Sequence, residues 1–149
     1  MPARVPTFLV VAATAAALLS SCSLFNPGPP RNADGEVTEP TVTASQYLAV
    51  GDCFSFVDDT DFAKVEVTPC GLPHSHTVIG QGTLPQDDID AAGGLQNAVS
   101  AACSQAFATF KEAAAEGVKP EQEFIVAMRE VEGEQVAAYS CVATDAAAA

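Results

Sequence analysis

Three hydrophobic patterns divide the chain. Residues 5–19 form an apolar stretch rich in Ala, Val and Leu. From residue 52 onward, apolar and polar side chains alternate in short segments, and between Leu95 and Phe110 apolar residues recur every three or four positions. Alternation marks a half-buried strand and the longer spacing an amphipathic helix. The first alternating pair predicts a hairpin: a strand over 52–57, a turn at Asp58-Asp59-Thr60-Asp61, and a returning strand over 63–70. Phe54 and Phe56 share one face of the first strand, and Val65 and Val67 share one face of the second. Folding the hairpin so that these four meet sets Cys53 opposite Cys70, on the other face with Ser55 and Thr68.

Residues 74–80 predict a third strand, and 81–94, with its glycines and the acidic cluster Asp87-Asp88-Ile89-Asp90, a loop leading into a helix. That helix carries Leu95, Val99, Ala102, Cys103, Ala106, Phe107 and Phe110 on one face and stops near Gly117, with Pro120 shortly after. A second hairpin follows, over 124–131 and 135–142, with Gly133-Glu134 as a two-residue turn. This register pairs Glu132 with Gln135, Met128 with Tyr139 and Val126 with Cys141. It gathers Phe124, Val126, Met128, Tyr139 and Cys141 on one face. Cys141 then faces the core, where Cys103 also points.

The apolar run at the start is too short to span a bilayer comfortably, since a transmembrane helix needs about 20 such residues. With Arg4 before it and small residues after it, the run has the layout of a signal peptide. Leu19-Ser20-Ser21-Cys22 is similar to the bacterial lipobox. The resemblance implies a diacylglyceryl group on the Cys22 sulfur and cleavage just before it. Residues 1–21 then read as a lipoprotein signal peptide and 22–46 as a flexible tether, where Asn26-Pro27-Gly28-Pro29-Pro30 cannot be helix or sheet interior. The folded domain is expected over 47–143, with a disordered Ala-rich tail over 144–149.

Charge and cysteine content sharpen this picture. The 149 residues hold 6 Lys+Arg against 19 Asp+Glu. Loss of Arg4 with the signal leaves five basic against nineteen acidic side chains, a net −14. Such a surface argues against nucleic acid and against docking on anionic lipid head groups. With Cys22 assigned to lipid, Cys53, Cys70, Cys103 and Cys141 remain. An even set in a small exported domain reads as two disulfides. Four cysteines allow three pairings, of which the two hairpin geometries favour Cys53–Cys70 and Cys103–Cys141.

Two runs resemble a known family: Val50-Gly51-Asp52-Cys53-Phe54 and Val67-Thr68-Pro69-Cys70-Gly71-Leu72-Pro73-His74. They are similar to the septum-formation domain family of actinobacterial envelope proteins, whose pattern is a GDCF run, a V-x-x-C-x-x-P-H run, then a helix and strands with two further cysteines. The resemblance covers about residue 47 to 143. It implies a setting in cell division or envelope assembly and supplies no defined reaction. Members often carry an acidic residue two or three positions after the PH; this chain has His76 and Thr77 there.

Candidate chemistry is sparse. His74 and His76 are the only histidines; two apart on a strand they would share a face, and with a carboxylate such as Asp52 they could reach one metal ion. The competing reading has His74, after Pro73, capping a turn through a ring nitrogen bonded to backbone. The Asp-rich stretches lack the Gly and final Glu of an EF-hand loop. No G-x-S-x-G elbow, Gly-rich phosphate loop, CxxC motif or basic patch is present. The expectation is therefore a small α+β domain of antiparallel hairpins packed on one main helix, with two disulfides. It is expected on the extracytoplasmic face of the cell membrane, lipid-anchored through Cys22, needing no cofactor and acting by non-catalytic binding of an envelope protein or wall component. The alternatives are a metal-binding lipoprotein using His74 and His76, and an envelope hydrolase.

Overall fold

The protein was analysed as a computed structural model that describes residues 28–58 and 60–144. The signal segment, Cys22 and residues 145–149 lie outside the described residues. Six strands, β1 (Thr41–Ala44), β2 (Cys53–Asp58), β3 (Asp61–Thr68), β4 (His76–Pro85), β5 (Gln122–Val131) and β6 (Glu134–Thr144), form one antiparallel sheet in the order β1-β3-β2-β4-β6-β5. A 3-10 turn at Ser45–Tyr47 follows β1, and two helices, α1 (Gln86–Ala91) and α2 (Leu95–Ala113), connect β4 to β5. Two disulfides, Cys53–Cys70 and Cys103–Cys141, cross-link the domain.

The first hairpin brings Phe54 opposite Val67 and Phe56 opposite Val65. Phe54, Val65 and Val67 have no exposed surface, and with Val37, Leu48, Val78 and Val142 they fill the core on one side of the sheet. Cys53 pairs with Thr68, not with Cys70. The disulfide still closes because the chain turns after Thr68 and returns Cys70 to a Cα separation of 5.1 Å.

On the opposite side of the sheet, α2 lies over β4, β5 and β6. Val99, Cys103 and Cys141 form the centre of this second cluster, against Ile79, Leu84, Phe124, Val126 and Tyr139. Ala98 is buried on the helix and Ala102 is exposed, a rotation of the stripe relative to the sequence expectation.

The second hairpin differs from expectation in its turn. Glu132 (φ 54°) and Gly133 (φ 87°) are the central residues, both in the left-handed region, as a primed two-residue turn requires. Val131 therefore pairs with Glu134, Val126 with Tyr139 and Phe124 with Cys141. The pairing moves by two residues, one full strand period, so the same side chains remain on the helix face.

Two other segments depart from the sequence reading. Residues 81–94 do not form a loop: β4 continues to Pro85, and the acidic cluster sits on α1, anchored by buried Ile89. Residues 28–46 are part of the domain and not of a tether. β1 pairs with β3 from Thr41↔Val67 to Ala44↔Lys64. Ahead of it, Arg31 bridges to Val37, and Val37 is buried in the core. Arg31 also donates from Nη1 to Asp52 Oδ1 and from Nη2 to Asp52 Oδ2, both at 2.7 Å. Asp52 is buried and takes a third bond from the Ala49 N–H at 2.7 Å. A single bidentate ion pair thus pins the N-terminal strap to the hairpin.

Gly82 pairs with Tyr139 across β4 and β6, and the tyrosine ring covers it; a Cβ at Gly82 would stand 2.7 Å from Tyr139 Cζ. Gly82→Ala is expected to displace the ring and cost about 1–2 kcal/mol, as overpacking does. Chemical denaturation of the two proteins checks this: Tyr139→Ala should remove most of the penalty, and an undiminished penalty would reject the ring as its cause.

Candidate functional site

The sheet leaves a groove on the side away from α2. Its floor is the outer face of β4, β6 and β5, including Gln81, Thr83, Ala138, Ser140, Ile125 and Ala127. Its wall comes from the other end of the sheet: Ala44 at the end of β1, Ser45 and Gln46 after it, then Phe56, Phe62 and Ala63 of the first hairpin. The volume is about 1220 Å³. Gln81 bonds wall to floor, donating from Nε2 to the Leu48 carbonyl at 2.8 Å and to Ser140 Oγ at 2.9 Å. Glu123 and Arg129, six positions apart on β5, are the charged groups lining the groove.

His76 adjoins the groove through Phe56 and Glu123. Its ring stacks on Phe54 at 5.3 Å and meets the edge of Phe56 at 4.9 Å, and Phe56 in turn meets Phe62 at 5.0 Å. His76 Nε2 lies 3.4 Å from Glu123 Oε2, and His76 Nδ1 lies 2.6 Å from Ser75 Oγ. Ser75 Oγ is also 3.2 Å from Ser55 Oγ, which accepts the Ser75 N–H. Burial holds the His76 pKa below the ordinary histidine value, outweighing the Glu123 carboxylate, which acts in the opposite direction. The ring is therefore neutral at pH 7. In the tautomer protonated on Nε2, that proton faces Glu123 and Nδ1 faces the Ser75 hydroxyl.

The lowered His76 pKa has a consequence for stability. The unfolded chain, with its histidine near about 6.5, takes up the proton before the folded one does. The contribution is complete above that value and is lost as pH falls below it toward the folded pKa. The unfolding midpoint is expected to drop between about pH 7 and 5, with His76→Gln reducing the slope in that window. Parallel pH profiles for the two proteins would contradict this.

The sequence-predicted site residues are not assembled as a metal centre. Asp52 is occupied by Arg31 and Ala49. His74 Nδ1 lies 2.8 Å from the Leu72 carbonyl, the turn-capping arrangement. Among the described residues no group of three His, Cys, Asp or Glu side chains could hold a metal ion. Glu123, Ser75 and Arg31 were not legible as site residues in the sequence. For Arg31 the signal was its rarity, as one of only six basic residues and the only one between Arg4 and Lys64. Among the described residues no helix is long and apolar enough to cross a membrane.

Fold and site define a disulfide-linked α+β domain with an open amphiphilic groove and an aromatic-flanked, neutral histidine beside it. The chain matches no known protein family, no curated protein and no solved structure at a significant level.

Proposed function

We propose that this is a non-catalytic binding domain, held on the extracytoplasmic side of the cell membrane by lipid on Cys22, whose groove receives an envelope protein or wall component. The observation that carries the reading is the composition of the groove. Phe56, Phe62, Ile125, Ala127 and Ala138 offer apolar contact, while Gln81, Thr83 and Ser140 offer amide and hydroxyl groups for orientation. Two disulfides support the exported setting. The lipobox-like run supports the anchor, and the GDCF and PH runs point to division or envelope assembly as the context.

Two experiments test the two halves of the proposal. Photo-crosslinking in cells from Thr83, with the outward-facing Gln105 of α2 as control, is expected to capture a species at Thr83 alone. Equal capture at both positions would reject the groove. Cys22→Ala is expected to move the protein from the membrane fraction to the soluble one, because the acyl chains supply the attachment. Unchanged membrane association would reject the anchor.

A second reading, an acyl-transfer enzyme, draws on the chain of contacts from Ser75 through His76 to Glu123. In it the Ser75 Oγ attacks an acyl carbonyl, its proton passes to His76 Nδ1, and the leaving alcohol takes that proton. A fluorophosphonate probe separates the two readings: labelling that Ser75→Ala abolishes supports the enzyme, and unlabelled protein supports the binding domain.

A further inference from the structure

Among the described residues the strand order ends on β5, so its ten residues, Gln122–Val131, present a row of backbone donors and acceptors to no neighbouring described strand. A long edge strand is a template for pairing with another chain unless charge, proline or a bulge blunts it. β5 contains neither proline nor an irregularity in its pairing with β6. Met128 and Val131 on it are half exposed.

β5 carries three charges, Glu123, Arg129 and Glu130; the first two are placed symmetrically about Val126, and Glu130 maps onto the neutral Gln122. Glu123 lies three residues before it and Arg129 three residues after it, and both side chains line the groove face. In an antiparallel pairing of two β5 strands with Val126 on the two-fold axis, Glu123 of each copy stands opposite Arg129 of the other. Opposed residues share a face in such a pair, so both charge pairs form on the groove side. On the helix side, Phe124 stands opposite Met128 and covers that exposed thioether. A one-residue slip in one direction sets Glu123 against Glu130, like charges directly opposed, and in the other sets Glu123 against Met128 and Arg129 against Gln122, so both charge pairs are lost. Among the described residues Arg129 has no carboxylate within ion-pairing distance, so its guanidinium is available to a second copy.

We propose that two copies of this chain associate through β5, antiparallel about Val126, making one continuous sheet with the two grooves on the same face. This goes beyond the proposed binding function and does not depend on it. The contact is isologous and closes on itself, so it yields a dimer and not a fibre. The net charge of the mature chain opposes the approach of two copies, and physiological salt screens that long-range repulsion more than it screens the paired charges in contact.

Zero-length crosslinking distinguishes this pairing from other contacts. Arg129→Lys supplies an amine that a carbodiimide can join to the carboxylate of Glu123. Within one chain the two positions are six strand residues, about 20 Å, apart, too far for a direct bond, so that link forms only between copies. The full chain carrying Arg129→Lys, purified in mild detergent, is expected to give a covalent dimer whose crosslinked peptide joins positions 123 and 129. Adding Glu123→Gln is expected to abolish that product. Absence of the dimer, or an equal yield with Glu123→Gln, would overturn the proposal. In an independent measurement by sedimentation, Glu123→Arg and Arg129→Glu are each expected to weaken self-association about tenfold, and an equimolar mixture of the two to restore it, because mixed pairs oppose unlike charges at both positions. A mixture no better than either variant would equally overturn it.

Discussion

Replacing both Cys103 and Cys141 by alanine is expected to lower the unfolding temperature by about 15 °C, the largest effect of any change considered. The bond closes a separation of 38 residues and joins α2 to the centre of β6. In the chain-entropy account a loop of that length is worth about 4 kcal/mol, against about 3 kcal/mol for the 17-residue separation of Cys53–Cys70. A domain of this size holds a total stability of roughly 5–15 kcal/mol, so the loss is a large fraction of the whole. Both sulfurs lie at the centre of the helix-side cluster, and alanine also removes packing there. Thermal unfolding followed by circular dichroism checks the ranking. A smaller shift for Cys103/Cys141 than for the Cys53→Ala, Cys70→Ala variant would show that loop length does not dominate.

The second large effect is expected at Arg31. Arg31→Ala leaves the Asp52 carboxylate, only 4% exposed, without the two N–H groups that neutralise it. Removing one partner of a buried pair costs more than the pair itself contributes, because the remaining charge is stranded. Arg31 is one-quarter exposed and water can reach part of the site, so the expected cost is about 3 kcal/mol, toward the lower end for such pairs. The change should also free the strap. Cleavage after Glu36 by a glutamyl protease is expected to accelerate under native conditions, while cleavage in the β5–β6 turn stays constant. Protection of Glu36 equal to that in the parent protein would contradict the pinning role.

What could be read from the sequence followed from periodicity and from cysteine pairing. Face assignment in both hairpins needed only the two-residue period, which is why an error of one full period in the β5–β6 register left Phe124, Val126, Tyr139 and Cys141 on the correct face. The turn itself was misplaced because Gly133 suits either central position, and the positive φ of Glu132 has no marker in the sequence. In the sequence the third strand ends at Gly80, because Gly82 and the acidic cluster beyond it read as loop. In the fold the first lies against Ala106 and Cys141 and the second beneath Tyr139, close approaches that only the tertiary partners reveal.

The strap was missed for a related reason. The prolines around 27–30 exclude regular structure and the Asp, Glu, Thr and Pro that follow offer little to bury, so the whole stretch reads as a tether. Thr41-Val42-Thr43-Ala44 does alternate, with Thr43 buried and Val42 exposed, but four residues are too short a run to outweigh the prolines. The groove was invisible for a stronger reason. Its wall, from residues 44–63, and the β5–β6 part of its floor, from 122–142, are some eighty residues apart in sequence and meet only in the folded domain.

The Arg31–Asp52 pair also sets a working radius. With lipid on Cys22, as proposed above, only the steps from Cys22 to Gly28 separate the bilayer from the first described residue. Six residues span at most about 20 Å, far less than the reach of a 25-residue leash. Such a protein searches for partners in two dimensions, within a thin layer above the lipid, and anything it engages must be embedded in the same membrane or come down to meet it. Breaking one ion pair would release the strap and allow the groove to sample a deeper layer of the envelope.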